Sequence, residues 1–200
     1  MSNLNVLKDF LLDSKHQSQI ISDDLKDHGL SVTIESSYID SFLIFLRDNK
    51  KFSFQILVDL CGVDYPDREK RFDVVYNLLS VTSNLRLTVK INIAEGELVP
   101  TISNIYSAAG WYEREAWDMY GIYFANHPDL RRILTDYDFI GHPMRKDFPL
   151  TGFSEVRYDM EKKKVIYEKV KLVQDFRSFD FSSPWEGTEY LLPGDEKTTK

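Results

Sequence analysis

Phe72-Asp73-Val74-Val75-Tyr76-Asn77-Leu78-Leu79-Ser80, then the turn Thr82-Ser83-Asn84, then Leu85-Arg86-Leu87-Thr88-Val89-Lys90-Ile91-Asn92-Ile93, is the stretch that decides the fold. Apolar side chains fall at Phe72, Val74, Tyr76 and Leu78, and again at Leu85, Leu87, Val89, Ile91 and Ile93. A period of two on both sides of a polar turn predicts a β-hairpin with one buried face. Gly96 and Pro100 close it. Working outward, Val32 and Ile34 predict a short strand over residues 31–35. Ile39, Phe42, Leu43 and Leu46 recur at helical spacing, ended by Asp48-Asn49. The mainly apolar run 52–60, bounded by Cys61-Gly62 and Tyr65-Pro66, reads as a buried strand. Ile102, Ile105, Tyr106 and Ala109 predict a helix that breaks at Gly110. Residues 31–120 thus read β-α-β-β-β-α: an α+β fold, a mainly antiparallel sheet with helices on one face.

Three segments follow. Leu4, Leu7, Leu11 and Leu12 predict a helix over 4–13, so residues 1–30 form an N-terminal helical segment. Residues 31–150 form the α+β domain, and residues 151–200 an extended tail. From about residue 125, Pro128, Pro143, Pro149, Pro184 and Pro193 punctuate the chain and helical period is lost. Val156, Tyr158, Val165 and Tyr167 alternate about the charged turn Glu161-Lys162-Lys163-Lys164, a second hairpin. Phe176, Phe179, Phe181 and Trp185 cluster with no period, and cannot bury themselves in an irregular segment. Such a tail either folds back or lies on another protein.

Composition narrows the function classes. The chain has 200 residues, 42% hydrophobic and 28% charged, a globular balance. Thirty-two acids against 25 bases give a net charge of −7, which argues against sequence-independent nucleic-acid binding through Lys and Arg. The longest purely apolar run, residues 42–46, is far short of the ~20 residues of a membrane span. The first ten residues show no secretory signal pattern. Cys61 is the single cysteine, so no internal disulfide forms and no cluster is held by cysteines of this chain. His16, His28, His127 and His142 make no H-x-x-x-H pair.

Two stretches carry candidate chemistry. In Trp111 to Gly121, helical spacing brings Arg114 and Asp118 together as an ion pair. Glu113, Glu115 and Asp118 read either as acid–base or metal groups, or as a salt-bridged helix surface. No second carboxylate cluster supplies a catalytic partner, which favours the surface. In His127 to Tyr137, His127 and Asp129 are a base with an orienting acid, or a turn cap. Arg131 and Arg132 grip a phosphate or, more readily, a protein carboxylate, since no glycine-rich loop accompanies them. No G-x-G-x-x-G, phosphate-loop or G-x-S-x-G motif occurs.

The run Glu113-Arg114-Glu115, Asp118-Met119-Tyr120, His127, Arg131 and Ile133-Leu134 resembles the signature of one family. That family is the C subunit of the proton-pumping NADH:quinone oxidoreductase, respiratory complex I, whose mitochondrial counterpart is the iron–sulfur protein 3 subunit. Leu60 to Pro66, Phe72 to Ser80, Gly141-His142-Pro143, Arg145 to Leu150, Glu155 to Asp159, and Phe179-Asp180-Phe181 with Ser183 to Glu186 agree with it as well. The resemblance spans roughly residues 55–187. It implies an α+β domain with a long C-terminal extension in the peripheral arm, on the cytoplasmic or matrix side of the inner membrane. It implies contact with the quinone-site subunit (D) and the terminal-cluster subunit (B), and membrane association only through the assembly. It also implies that NADH, FMN, iron–sulfur clusters and quinone are held by other subunits, with no catalytic residue, metal or cofactor on this chain. By position, Glu113, Arg114, Asp118, His127, Arg131 and Arg132 are expected to make or brace contacts between subunits, and Phe179, Phe181 and Trp185 to anchor the tail. Three rivals are the matching scaffold subunit of an energy-converting hydrogenase, a stand-alone carboxylate enzyme, and a free-standing module whose tail folds back.

Overall fold

The computed structural model describes residues 3–26 and 29–174, and divides into two compact units, residues 1–152 and 153–200. In the first unit the order is α1 (Asn3–Leu12), β1 (Ile20–Lys26), β2 (Gly29–Ile34), α2 (Ile39–Asp48), β3 (Ile56–Asp64), β4 (Phe72–Ser80), β5 (Leu85–Ile93), β6 (Leu98–Pro100), α3 (Ala109–Tyr120) and β7 (Tyr123–Ala125). The second contains β8 (Ser154–Asp159) and β9 (Lys164–Lys169), an antiparallel hairpin in which Val156 faces Tyr167 and Tyr158 faces Val165.

Strands β1 to β5 form one sheet in the order β1-β2-β5-β4-β3. All neighbours are antiparallel except β2 and β5. That exception follows from the path of the chain. The β2-α2-β3 crossover carries it past two vacant strand positions, and the two hairpins that follow bring β4 and then β5 back beside β2. Register places Val32, Val89, Tyr76 and Leu60 in one row, with Leu30, Leu87, Leu78 and Leu57 in the next. This face is the core. It is closed by Leu7 and Leu11 of α1, by Ile39, Phe42, Leu43 and Leu46 of α2, and by Ala109 and Ala116 of α3. Truncating a ring such as Phe42 in this packing costs ~3–5 kcal/mol. The opposite face carries Ser31, Thr33, Asn77, Arg86, Thr88, Lys90 and Asn92, none of them buried, as expected of a sheet with one solvated side.

The α+β fold expected from the sequence is the fold observed. The central hairpin, α2 and the 154–170 hairpin lie where periodicity placed them. Four elements differ. Strand β3 begins at Ile56, not residue 52, and sits at a sheet edge with Ile56 and Val58 exposed. Residues 101–108 are turns closed by Ile105 and Tyr106 N–H groups on the Ile102 carbonyl, so Ile102, Ile105 and Tyr106 pack from a loop and form no helix. Gly110 does not break a helix but lies in the first turn of α3. Finally, β1 joins the sheet as an edge strand that the sequence pattern does not announce.

Candidate functional site

Helix α3 is where the chain concentrates buried charge. Glu113, Arg114 and Asp118 are all buried, while Trp111 and Glu115 of the same helix are exposed. The helix lies across β3, where Gly62 leaves room for the Tyr120 ring: a Cβ there would meet Tyr120 Cδ2 at 2.8 Å. Tyr112 donates to the Val58 carbonyl at 3.0 Å. Gly121 ends the helix in the left-handed conformation, φ 75°, and its N–H reaches the Trp117 carbonyl at 2.8 Å.

Asp118, 0% exposed, organises the segment that follows. Its Oδ1 accepts from Arg132 Nη1 at 2.8 Å and from the Thr135 hydroxyl at 2.6 Å. Its Oδ2 accepts from the backbone N–H groups of Ile133, Leu134 and Thr135 at 3.1, 2.8 and 2.9 Å. Burial alone would raise this carboxyl, but Thr135, Arg132 and the backbone donors hold it well below the usual carboxylate range. Arg132 also donates to the Gly141 and Phe139 carbonyls, at 3.1 and 2.7 Å, with its guanidinium over the Trp117 and Phe139 rings. The pairing expected within the helix is therefore not the one formed. Asp118 takes Arg132, while Arg114 donates to the Arg131 and Arg132 carbonyls at 3.1 and 2.9 Å and lies over the Trp111 ring.

Glu113, also 0% exposed, accepts from the Ile102 N–H at 2.7 Å and shares a 2.5 Å hydrogen bond with Thr101 Oγ1. Burial pushes its carboxyl up to about 7, against the lowering effect of Thr101 and Ile102. His127 Nε2 stands 3.7 Å from Oε2 and donates to the Gly110 carbonyl at 3.1 Å, while its Nδ1 accepts the Asp129 N–H at 3.0 Å. Glu113, Arg114, Asp118, His127 and Arg132 thus converge on the join between α3 and residues 126–141. Arg131 is exposed, paired with Asp129 at 2.8 Å and donating to the Tyr137 hydroxyl at 3.0 Å. Phe179, Phe181 and Trp185 lie outside the described residues.

A second knot holds residues 142–148 in place. Arg71 grips Asp64 with two bonds, of 2.7 and 2.9 Å, and reaches Asp147 at 3.0 Å. Asp64 also accepts the Lys146 N–H at 2.7 Å, and Arg145 bridges the Tyr120 carbonyl and Glu95. The guanidinium of Arg71, opposed by burial and helped by the Lys146 N–H, lowers the Asp64 carboxyl. The family resemblance covers Asp64, Arg145, Lys146 and Asp147 in its flanking stretches, but the sequence alone predicts no pairing for them. The available signal was the opposite charges of Asp64 and Arg71 at the two ends of one strand-to-strand turn.

Pinned by both knots, residues 126–150 turn large apolar side chains outward. Leu134 is 62% exposed, Tyr137 74% and Ile140 81%, with Met144 and Leu150 also exposed. No group of three or more His, Cys, Asp or Glu converges as a metal site among the described residues. No helix among them is long and apolar enough to cross a membrane. Cys61 is half-buried in β3, and burial pushes its thiol up.

An α+β platform whose buried charges brace an outward-facing loop is the form of a subunit that scaffolds others. Comparisons with known proteins identify which kind. Residues 32–154 match the family model described as respiratory-chain NADH dehydrogenase, 30 Kd subunit. The C subunit of NADH-quinone oxidoreductase from Rhizobium rhizogenes is 55% identical over 97% of this chain and 96% of its own length. The protein of the same name from Agrobacterium fabrum is 58% identical over 90% of each. A chain in the solved structure of the membrane-bound sulfane sulfur reductase, an archaeal respiratory membrane complex, superposes with a TM-score of 0.61 at 26% identity, over 73% of this chain and 85% of its own. The chain belongs to the family of NADH-quinone oxidoreductase C subunits.

Proposed function

We propose that this chain acts as a structural subunit of the peripheral arm of a respiratory NADH–quinone oxidoreductase, holding neighbouring subunits together while NADH, FMN, iron–sulfur clusters and quinone are bound elsewhere in the assembly. Its neighbours in this reading are the quinone-site subunit (D) and the terminal-cluster subunit (B). Its place is the cytoplasmic face of a bacterial inner membrane, or the matrix face in an organelle. Residues 151–200 add a partner-binding tail with Phe179, Phe181 and Trp185 as anchors.

The observation that carries the reading is the braced loop. Interface hot spots are rigid, apolar or aromatic, and seated where little ordering entropy remains to be lost. Leu134, Tyr137 and Ile140 fit that description because Asp118 and Arg132 fix the backbone beneath them. Glu113, Arg114, Asp118, His127 and Arg132 then act by shaping the surface, with Arg131 at its rim. The scaffold subunit of a sister respiratory complex is the second reading, supported by the archaeal likeness, but identity near 26% there against 55–58% here favours the NADH-linked assembly. A tagged chain recovered from gently solubilised membranes tests this. NADH:quinone reductase activity and iron-bearing partners in stoichiometric yield are expected in the eluate. A lone, colourless chain would overturn it.

A further inference from the structure

The hydrogen bonds around Glu113 give this helix a role beyond scaffolding. His127 uses both ring nitrogens on backbone groups, Nε2–H on the Gly110 carbonyl and Nδ1 as acceptor of the Asp129 N–H. A nitrogen that accepts cannot also carry a proton, so the ring is the neutral Nε2–H tautomer. Glu113 therefore has no cation within ion-pair distance, since His127 is its single possible partner among the described residues. A fully buried carboxylate without a cation is the costly arrangement, which two neutral donors do not offset.

The neighbouring hydroxyls accommodate the alternative. Thr101 Oγ1 lies 2.5 Å from Glu113 Oε2 and 3.0 Å from Ser103 Oγ, and it accepts the Ser103 N–H at 3.2 Å, so it can take a hydrogen bond from Glu113 and give its own to Ser103. A Glu113 acid donates from Oε2 to Thr101, Thr101 donates to Ser103, and Oε1 keeps the Ile102 N–H. Both Glu113 oxygens and the Thr101 hydroxyl are then satisfied. The remaining titratable neighbour is Tyr76 of β4, wholly buried, whose hydroxyl has no hydrogen-bond partner among the described residues. Burial pushes that phenol up first, and proximity to Glu113 adds to it, so Tyr76 brings no charge to the site.

We propose that Glu113 is held as a neutral carboxylic acid inside the folded chain and that it forms, with His127, a proton-dependent latch between α3 and residues 126–135. When Glu113 loses its proton to solvent, Oε2 becomes an anion 3.7 Å from His127 Nε2–H. That hydrogen then turns from the Gly110 carbonyl to Oε2, and the start of the braced loop shifts with it. The raised ionisation of Glu113, to about 7, puts the change in a physiological window.

The test uses the purified full chain, labelled with carbon-13 at glutamate carboxyls and nitrogen-15 at histidine, followed by NMR from about pH 4 to about pH 9. One glutamate is expected to remain protonated after the rest have ionised, to titrate near 7, and to be missing in E113Q. His127 Nε2 is expected to move with the same midpoint. Full ionisation of every glutamate by about pH 6 would overturn the proposal, and a silent His127 would overturn the latch. Urea unfolding supplies a second readout. Because the folded acid holds its proton between 4.5 and about 7, the wild-type folding constant falls by up to about tenfold per pH unit across that window, relative to E113Q. The amide reproduces both the donor and the acceptor of the acid, so E113Q is expected to match or exceed wild-type stability above pH ~7. An E113Q chain that is weaker there, or does not fold, would refute the neutral acid.

Discussion

Five residues apart on one helix, Glu113 and Asp118 meet burial in opposite ways, and the number of donors decides which. Glu113 has the Ile102 N–H, the Thr101 hydroxyl and no cation among the described residues, whereas Asp118 has four hydroxyl or backbone donors and the Arg132 guanidinium. Asp118→Asn is therefore expected to leave Arg132 without its carboxylate and to aim an amide donor at the donors of residues 133–135. A loss of about 3–5 kcal/mol in urea unfolding follows from breaking a buried pair. A loss under ~0.5 kcal/mol would show that the loop holds without it. The pH dependence has the reverse sign to that of Glu113. Lowered in the folded chain from the ordinary 3.8, Asp118 contributes stability that is present above that value and fades as pH falls below it. The acid limb of a stability–pH curve is expected to flatten in D118N. The sequence marked both carboxylates as unusual, because three acids and an arginine in so aromatic a helix is a rare composition. It misassigned the partner, because helical spacing tells which side chains share a face and not which loop will cover that face.

At the scale of elements, legibility followed burial contrast. The hairpin β4-β5 and helix α2 each have one buried face, so their apolar periods of two and 3.6 stand out in the sequence. Strand β1 is an edge with exposure on both faces, and no alternation survives in Ile20-Ile21-Ser22-Asp23-Asp24-Leu25-Lys26. Residues 101–108 show the converse, a loop whose buried Ile102 and Tyr106, with Ala109 at the start of α3, imitate helical spacing. The α3 terminus offers a test at this scale. A Cβ on Gly121 would meet Arg145 Nη2 at 2.6 Å and His142 at 2.7 Å, on a residue with φ 75°. Gly96 has a similar φ, 82°, with nothing within 4 Å. Gly96→Ala is expected to cost about 1–2 kcal/mol, from the left-handed backbone alone. Gly121→Ala should cost at least about 1 kcal/mol more, because Arg145 must leave the Tyr120 carbonyl and Glu95. Equal losses in the two variants would mean that the 142–148 segment is not anchored at this point.

For the whole molecule, the question is whether residues 126–150 serve the chain's own fold or another protein. Apart from Leu130, which packs on the core, their bracing contacts are polar and made with Asp118, Arg132, Arg71 and Asp64, while Leu134, Ile140, Met144 and Leu150 turn apolar side chains outward. A surface kept for solubility alone would reverse that division. The sequence could report the proline-rich, aperiodic texture of this region, but not its rigidity, since the bracing bonds join residues 14 to 82 positions apart. Replacing Leu134 and Ile140 by aspartate separates the two roles. Both side chains are more than half exposed, so the chain's own unfolding should move by no more than ~0.5 kcal/mol. In an interface, each charge buried against an apolar partner costs ~2 kcal/mol or more, and about 4 kcal/mol together weakens binding nearly a thousandfold. The double variant is therefore expected to fold normally and yet to lose its partners when recovered from membranes, with NADH:quinone reductase activity absent from the eluate. Normal recovery of active complex with both aspartates in place would move the binding surface off this loop, leaving the tail or the solvated sheet face to carry it. Failure of the variant to fold would instead assign Leu134 and Ile140 to the chain's own stability, a role their exposure gives them no means to play.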